Sequence, residues 1–297
     1  MPLICCPYCG GRAAHEYFSS KTGEIDRCNA CSGLFSRDRT GELGLDSHRN
    51  MVKEAVTEEY LGLYSAKDSV EYSIAKDVLD VLRKNAIASG NFLEIGCGNA
   101  MIGIVAQNNY PEIAYKGIEI SPALYQATDA RIKPRIIHAQ NLEKALLQVS
   151  DASQEVVILH HVLEHLPEPR VVLDIIRTKL KPSAFLYVEV PNEQWKSGII
   201  WFRHFFKRAG DDWFPGHINF FTRSTLMQLL KNQGFRTVLM EKVPAADYPD
   251  MVKKMMGGEI LFRRNLAARI ALSFLMWTRL ERLVGYGIVL RCICRVS

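Results

Sequence analysis

Apolar residues fall into two rhythms along this chain, and the rhythms alternate. Short dense runs read as buried strands: Phe92 to Ile95, Lys116 to Ile120, Arg135 to His138, Glu155 to Leu159 and Ala184 to Val190. Between them apolar positions recur at three- and four-residue steps, the period of a helix with one buried face. Ser73 to Asn85 carries Ile74, Val78, Leu79, Val81 and Leu82 in that pattern. Met101 to Ala106 starts a second helix, and Ser121 to Ile132, Arg170 to Leu180 and Thr222 to Gln233 read as three more, the last capped by Thr222. Phe235 to Lys242 and Ile288 to Val296 are the final strands. Strands alternating with helices predict an α/β fold, a doubly wound sheet with helices on both faces. The last strand is expected antiparallel beside the fifth.

The junction of the first such strand and its helix carries the first candidate chemistry. Glu94-Ile95-Gly96-Cys97-Gly98 ends the strand on two glycines, which let a backbone approach a ligand closely. About twenty residues on, the second strand ends in Glu119, placed to accept the hydroxyls of a ribose. An adenosine-containing cofactor at the carboxyl edge of the sheet follows. A dinucleotide is the weaker reading: Met101 stands at the third glycine position, and Glu94 would repel a pyrophosphate. S-adenosylmethionine carries an ammonium and a ribose but no phosphate, and suits these residues better. An ordinary turn that binds nothing is the remaining alternative. Gln140 and Asn141 follow the third strand, where an amide could meet an adenine edge.

Cysteine spacing sets the first forty residues apart. Cys6-Pro7-Tyr8-Cys9 and Cys28-Asn29-Ala30-Cys31 are paired knuckles that together predict a tetrahedral four-thiolate zinc site. With all four positions filled by protein, the site is expected to be closed and structural. Gly10 and Gly33 are expected to let the backbone turn beneath the metal, and Cys5 to stand by. So short a unit cannot build a core alone, so metal would supply its folding energy. Cys292 and Cys294 share one face of the last strand and read as core thiols.

Composition adds limits. The 297 residues are 48% hydrophobic and 23% charged, ordinary for a globular protein, with a mild net charge of +5. No signal peptide opens the chain and no uncharged apolar run is long enough to span a bilayer, so a cytoplasmic protein is expected. After the fifth strand, residues 193 to 215 interleave Trp195, Trp201, Phe202, Phe205, Phe206, Trp213 and Phe214 with Lys196, Arg203, Lys207 and Arg208. Such an insertion overhangs the sheet edge and suits a sugar ring with phosphates, a lipid surface, or a packed lid. Residues 258 to 284 read as one basic amphipathic helix. It would meet an anionic membrane at the inner face or a second copy of the chain, or fold back as a lid.

Leu93-Glu94-Ile95-Gly96-Cys97-Gly98, Glu119, Val162-Leu163-Glu164-His165-Leu166, Leu180-Lys181-Pro182 and Val188-Glu189-Val190-Pro191-Asn192 occur in that order at matching spacing. Together they resemble a class I S-adenosylmethionine-dependent methyltransferase, whose sheet is a seven-stranded Rossmann-like one. Gly216 to Leu226 and Gly234-Phe235 are similar to the branch holding bacterial sugar and small-molecule methyltransferases. Some sugar C-methyltransferases there also carry paired C-x-x-C knuckles. Ala100 departs from the pattern, where many members have a third glycine. The resemblance implies that Glu94, Gly96 and Gly98 line the methionine moiety and that Glu119 holds the ribose. Cys97, Ile120, Gln140, Asn141 and His160 complete the expected cofactor contacts.

Methyl transfer from a sulfonium needs alignment and, at most, one base for the acceptor's proton. The candidates are His160, His161, His165 and His217. His217 lies beyond the insertion where the acceptor should sit, and the resemblance implies a base in this region. His165 is the weaker catalytic candidate and reads more as scaffold. The expected acceptor is a sugar, nucleotide- or carrier-linked, or a similar small molecule. RNA is the alternative, but Arg12, Lys21 and Arg27 against Glu16, Glu24 and Asp26 make a poor phosphate-binding face. A non-enzymatic zinc-ribbon adaptor is the third reading. The expected organisation is a zinc unit at 1–40, lead-in helices covering the cofactor at 41–90, a methyltransferase core at 91–243, and a basic helix with the final strand at 244–297.

Overall fold

The computed structural model describes residues 5–20, 23–39, 69–193, 216–244 and 287–297. The lead-in residues before Ser69, nearly all of the aromatic insertion and the stretch at 258 to 284 expected as a helix lie outside the described residues.

Seven strands form the main sheet: β4 (Gly90–Ile95), β5 (Ile113–Glu119), β6 (Ile136–His138), β7 (Gln154–His160), β8 (Leu180–Pro191), β10 (Phe235–Val243) and β11 (Val289–Val296), in the order β10-β11-β8-β7-β4-β5-β6. Strands β4 to β8 run parallel, and β11 inserts antiparallel between β8 and β10, as expected. The chain leaves β4 for β5 and β6 and then returns to β7 on the other side. The carboxyl ends of β4 and β7 therefore flank the switch point, where open α/β sheets bind ligands.

Side-chain alternation sorts the core into two layers. Leu93, Ile95, Val157, Leu159, Leu186 and Val188 face one layer, where α5 (Pro169–Lys179) and α6 (Arg223–Asn232) supply Leu173, Ile176, Leu226 and Leu229. Phe92, Val156, Ile158 and Tyr187 face the other, against α1 (Val70–Lys84) and α2 (Met101–Asn109). Helix α1 starts at Ser69, whose side chain accepts from the Tyr72 N–H, and buries Val78, Leu79 and Leu82. Each of those side chains contributes roughly 1.5–3 kcal/mol by leaving water. Tyr72 accepts from Asn109 Nδ2 at 2.7 Å and packs on α2.

Two elements differ in length from expectation. Helix α3 (Pro122–Ala127) stops well short of Ile132, because the Asp129 carboxylate accepts from the Arg131 N–H and guanidinium and turns the chain. Strand β8 begins at Leu180, so Lys181-Pro182 lies inside a strand rather than in a break after α5.

The cysteine knuckles sit on a second sheet of β1 (Ala14–Ser20), β2 (Gly23–Cys28) and β3 (Leu34–Ser36). Its fourth strand, β9 (Asn219–Phe220), comes from the methyltransferase-like part of the chain and pairs Leu34 with Phe220 and Phe35 with Asn219. Cys6, Tyr8, Cys28 and Phe35 belong to the same buried cluster as Leu163, Leu226 and Leu229. Asp26, nearly buried, is held by Arg37, which also pairs with Glu24 and Glu16. Among the described residues no helix is long and apolar enough to cross a membrane.

Candidate active site

The turn after β4 is shaped by backbone. Gly96 and Gly98 adopt φ of +68° and +55°, a region that favours glycine. A side chain at Gly96 would strike Val162, whereas one at Gly98 would meet nothing within 4 Å, so space lies open beside that residue. Ala100 holds the same left-handed conformation at φ +60° before α2, which explains why a glycine would be at home there.

Glu119 reaches across this turn from β5. It is 4% exposed, and its carboxylate accepts from the Gly98 N–H at 2.7 Å and the Ser121 N–H at 2.6 Å. Burial pushes its pKa up, and those N–H bonds oppose the rise. Each oxygen keeps a lone pair for a further donor. Glu94 sits on the α1–α2 side of β4, where Tyr115 donates to it; burial raises its pKa to about 8. Cys97 points its thiol into the same layer, against Gly117, and its N–H bonds to Ile118, so neither faces the turn. Ile120 is exposed at the end of β5. Gln140 is exposed with its amide oxygen near Lys144, while the Asn141 oxygen caps α4 (Leu142–Leu146) by accepting from the Lys144 N–H. His138, given no role in the sequence reading, hydrogen-bonds the Glu119 carbonyl and stacks on Tyr125 with centroids 4.6 Å apart.

Past β7 and β8 the edge is built from ionisable side chains. His160 and His161 meet edge to face at 4.7 Å, and His165 and His217 do so at 5.0 Å. Glu189 lies beneath the first pair, fully buried. His160 lies 3.5 Å from it, Arg291 donates at 2.8 Å, and Tyr187 adds a hydroxyl. Burial favours its protonated form, but His160 and Arg291 hold its pKa well below the ordinary carboxylate value. Glu164 lies beneath the second pair at 1% exposure and bonds His161 Nδ1 at 3.1 Å. Burial would raise its pKa too, yet His161, His165 and His217 bring it down to about 2. Glu193, 3% exposed, lies 3.4 Å from His217 Nδ1. His165 Nδ1 bonds the Gly216 carbonyl at 2.7 Å and so anchors the segment that carries His217. His161 takes φ +56°, an uncommon backbone conformation that concentrates at functional sites.

The structure brings Glu119, Gly96 and Gly98 together, and separately His165 and His217. It adds Glu164, Glu189 and Glu193, which the sequence reading missed. Each lies in or beside a run whose apolar neighbours read as core, and the only available signal was an acid at a strand end.

The four knuckle cysteines form a third cluster. Cys6 and Cys31 sulfurs are 3.6 Å apart, those of Cys9 and Cys28 are 3.7 Å apart, and all four lie within 4.8 Å of one another. Gly33 serves packing rather than a backbone turn: a Cβ there would lie 2.3 Å from the Tyr8 ring, and Ser32 takes the left-handed conformation instead.

A family model described as a methyltransferase domain matches residues 67–239, more than half of the chain. The chain therefore belongs to that family, and it is an enzyme of the class I methyltransferase type. A phosphoethanolamine N-methyltransferase from Haemonchus contortus, solved in complex with S-adenosyl-L-methionine, is similar at 12% identity and TM-score 0.53, covering 84% of this chain and 59% of that one. The cyclase SpnF is similar at 15% identity and TM-score 0.51, covering 74% and 81%. A SAM-dependent methyltransferase from Archaeoglobus fulgidus has 18% identity and TM-score 0.49 over 74% and 94%. No curated protein sequence matches the chain.

Proposed function

We propose that the protein transfers a methyl group from S-adenosylmethionine to a hydroxyl or carbon of a sugar, nucleotide- or carrier-linked, or of a similar small molecule. The observation that carries the donor is the Glu119 carboxylate tied to the Gly98 N–H beside open space. Glu119 supplies the acceptor oxygens for a ribose. When bound, S-adenosylmethionine supplies an electrophilic methyl on a sulfonium and departs as a neutral thioether.

The β7–β8 half serves the acceptor. His217 takes the proton that the acceptor loses, and Glu193, 3.4 Å from Nδ1, orients the ring. His165 holds Gly216 and so sets where that ring stands.

The cysteine cluster is read as a structural zinc site. Thiolates at about 2.3 Å from a tetrahedral zinc lie about 3.8 Å from each other, close to the separations found here. As packed thiols, Cys6 is held above the ordinary value by its bond to Cys31 and then by burial, so a shared cation is what lets the four ionise together.

Incubation with methyl-labelled S-adenosylmethionine and pools of nucleotide sugars, lipid-linked sugars and RNA tests the reading. Label is expected in a sugar fraction. Label in RNA, or in none of the pools, contradicts the acceptor proposed.

A further inference from the structure

The two candidate centres share one strand. His217 stands two residues before β9, and β9 is the fourth strand of the cysteine unit's sheet. On its outer side the segment is tied to β3: the Ser36 N–H donates to the Ile218 carbonyl at 2.9 Å, and Leu34 and Phe35 pair with Phe220 and Asn219. On its inner side the Ile218 N–H donates to the Glu164 carbonyl at 2.9 Å. The Asn219 amide there donates to the carbonyls of Leu163 and Leu166, each at 2.8 Å. Arg39 adds a bond to the Ile218 carbonyl.

Tyr8 joins these ties to the thiols. It lies between Cys6 and Cys9 in the first knuckle and is fully buried. Its hydroxyl donates to the Leu34 carbonyl at 2.5 Å and accepts from the Phe220 N–H at 2.9 Å, bridging β3 and β9 at their paired residues. Its ring packs on Phe221, centroids 5.2 Å apart, and bare Gly33 gives it no slack on the other side. A change at the knuckle therefore has a rigid path to the segment that carries His217. Among the described residues the β4 turn itself touches Val162, β5 and α2, and its link to this segment runs only at second hand, through Val162 to Leu163.

We propose that Tyr8 is a positioning residue that makes the placement of His217 depend on metal at the four cysteines, while donor binding does not. Loss of the metal by chelation or thiol oxidation would then switch off the acceptor half of an enzyme still able to bind its donor. The proposal rests on the His217 base reading. The measurements below need no acceptor: a His217→Asn variant that kept full transfer would sink the base reading yet leave them unchanged.

The experiment uses the full chain with nitrogen-labelled histidine, with zinc bound and after chelation, and the Tyr8→Phe variant with zinc bound. Zinc content, histidine spectra, amide exchange and S-adenosylmethionine affinity are read in each state. Removing zinc is expected to move the His165 and His217 signals and leave His138 in place. Residues 216–221 should exchange about tenfold or more faster, while β4 and β5 stay protected. Tyr8→Phe keeps the ring and the metal but loses both hydroxyl bonds. It should deprotect the Phe220 amide and shift His217 in the same direction, with donor affinity within about twofold. After chelation the variant should change less than the wild type, because one path is shared. The proposal is overturned by protein that holds no zinc when made with zinc available. It is equally overturned by chelation that frees β1 to β3 without moving His217, or by Tyr8→Phe with an unchanged Phe220 amide.

Discussion

The β4–β5 half of the sheet edge is shaped by backbone, whereas the β7–β8 half is shaped by buried ionisable side chains. In the first, two glycines and the N–H of Gly98 set the form, and one carboxylate closes it. In the second, four imidazoles stand over Glu164, Glu189 and Glu193, with Arg291 and the 216–221 segment brought in from far along the chain. A half built from backbone needs only a short local motif and suits a donor common to many reactions. A half built from distant side chains can be rebuilt for each acceptor without disturbing the first.

The largest expected effect removes the support of the second half alone. Cys28→Ser should abolish stoichiometric zinc, expected at one per chain in the wild type, and deprotect β1 to β3. Metal analysis and amide exchange check this, and a variant that kept its zinc would break the comparison. Next, His217→Asn should lower the transfer rate roughly a hundred- to ten-thousandfold, the usual range for a lost general base. The donor's affinity should stay put, which titration calorimetry reads directly.

A third test sits in the first half and concerns pH. Burial raises the Glu94 pKa from its ordinary 4.5 to about 8. Across that window the folded state holds a proton that the unfolded state has released. Glu94 therefore contributes full stability below about pH 4.5, and the contribution is lost as pH rises towards about 8. The slope is at most about 1.4 kcal/mol per pH unit. Glu94→Gln should flatten the decline in the ligand-free protein, as denaturant titrations from pH 5 to 8 would show. Equal slopes in the two proteins would contradict the assignment.

The same division governed what could be read from sequence. Strand and helix order came from periodicity, and β11 beside β8 came with the fold class. The glycine turn and Glu119 were legible because they are local or fall at a fixed spacing. The cysteine knuckles were legible because their spacing is itself the geometry. What was missed depends on contacts between remote residues. Strand β9 is two residues long, too short to show a period, and pairs with β3 more than 180 positions away. Glu189 reads as one polar residue in an apolar strand until Arg291 is found against it. Tyr8 was given no part between its two cysteines, and only its place between β3 and Phe220 gives it meaning. Helix α3 ended early because Asp129 and Arg131 formed a local turn that competes with the helix, a signal that was present and passed over.

Calorimetric titration of S-adenosylmethionine into the wild type, Glu119→Ala and His217→Asn tests the central claim, a donor half separable from an acceptor half. The wild type should bind one equivalent. Glu119→Ala should weaken binding by roughly 1.5–3 kcal/mol, about ten- to 150-fold, through loss of a charged partner for the ribose. His217→Asn should bind as the wild type does. A wild type that does not bind, Glu119→Ala with unchanged affinity, or His217→Asn weakened as much as Glu119→Ala would contradict the account.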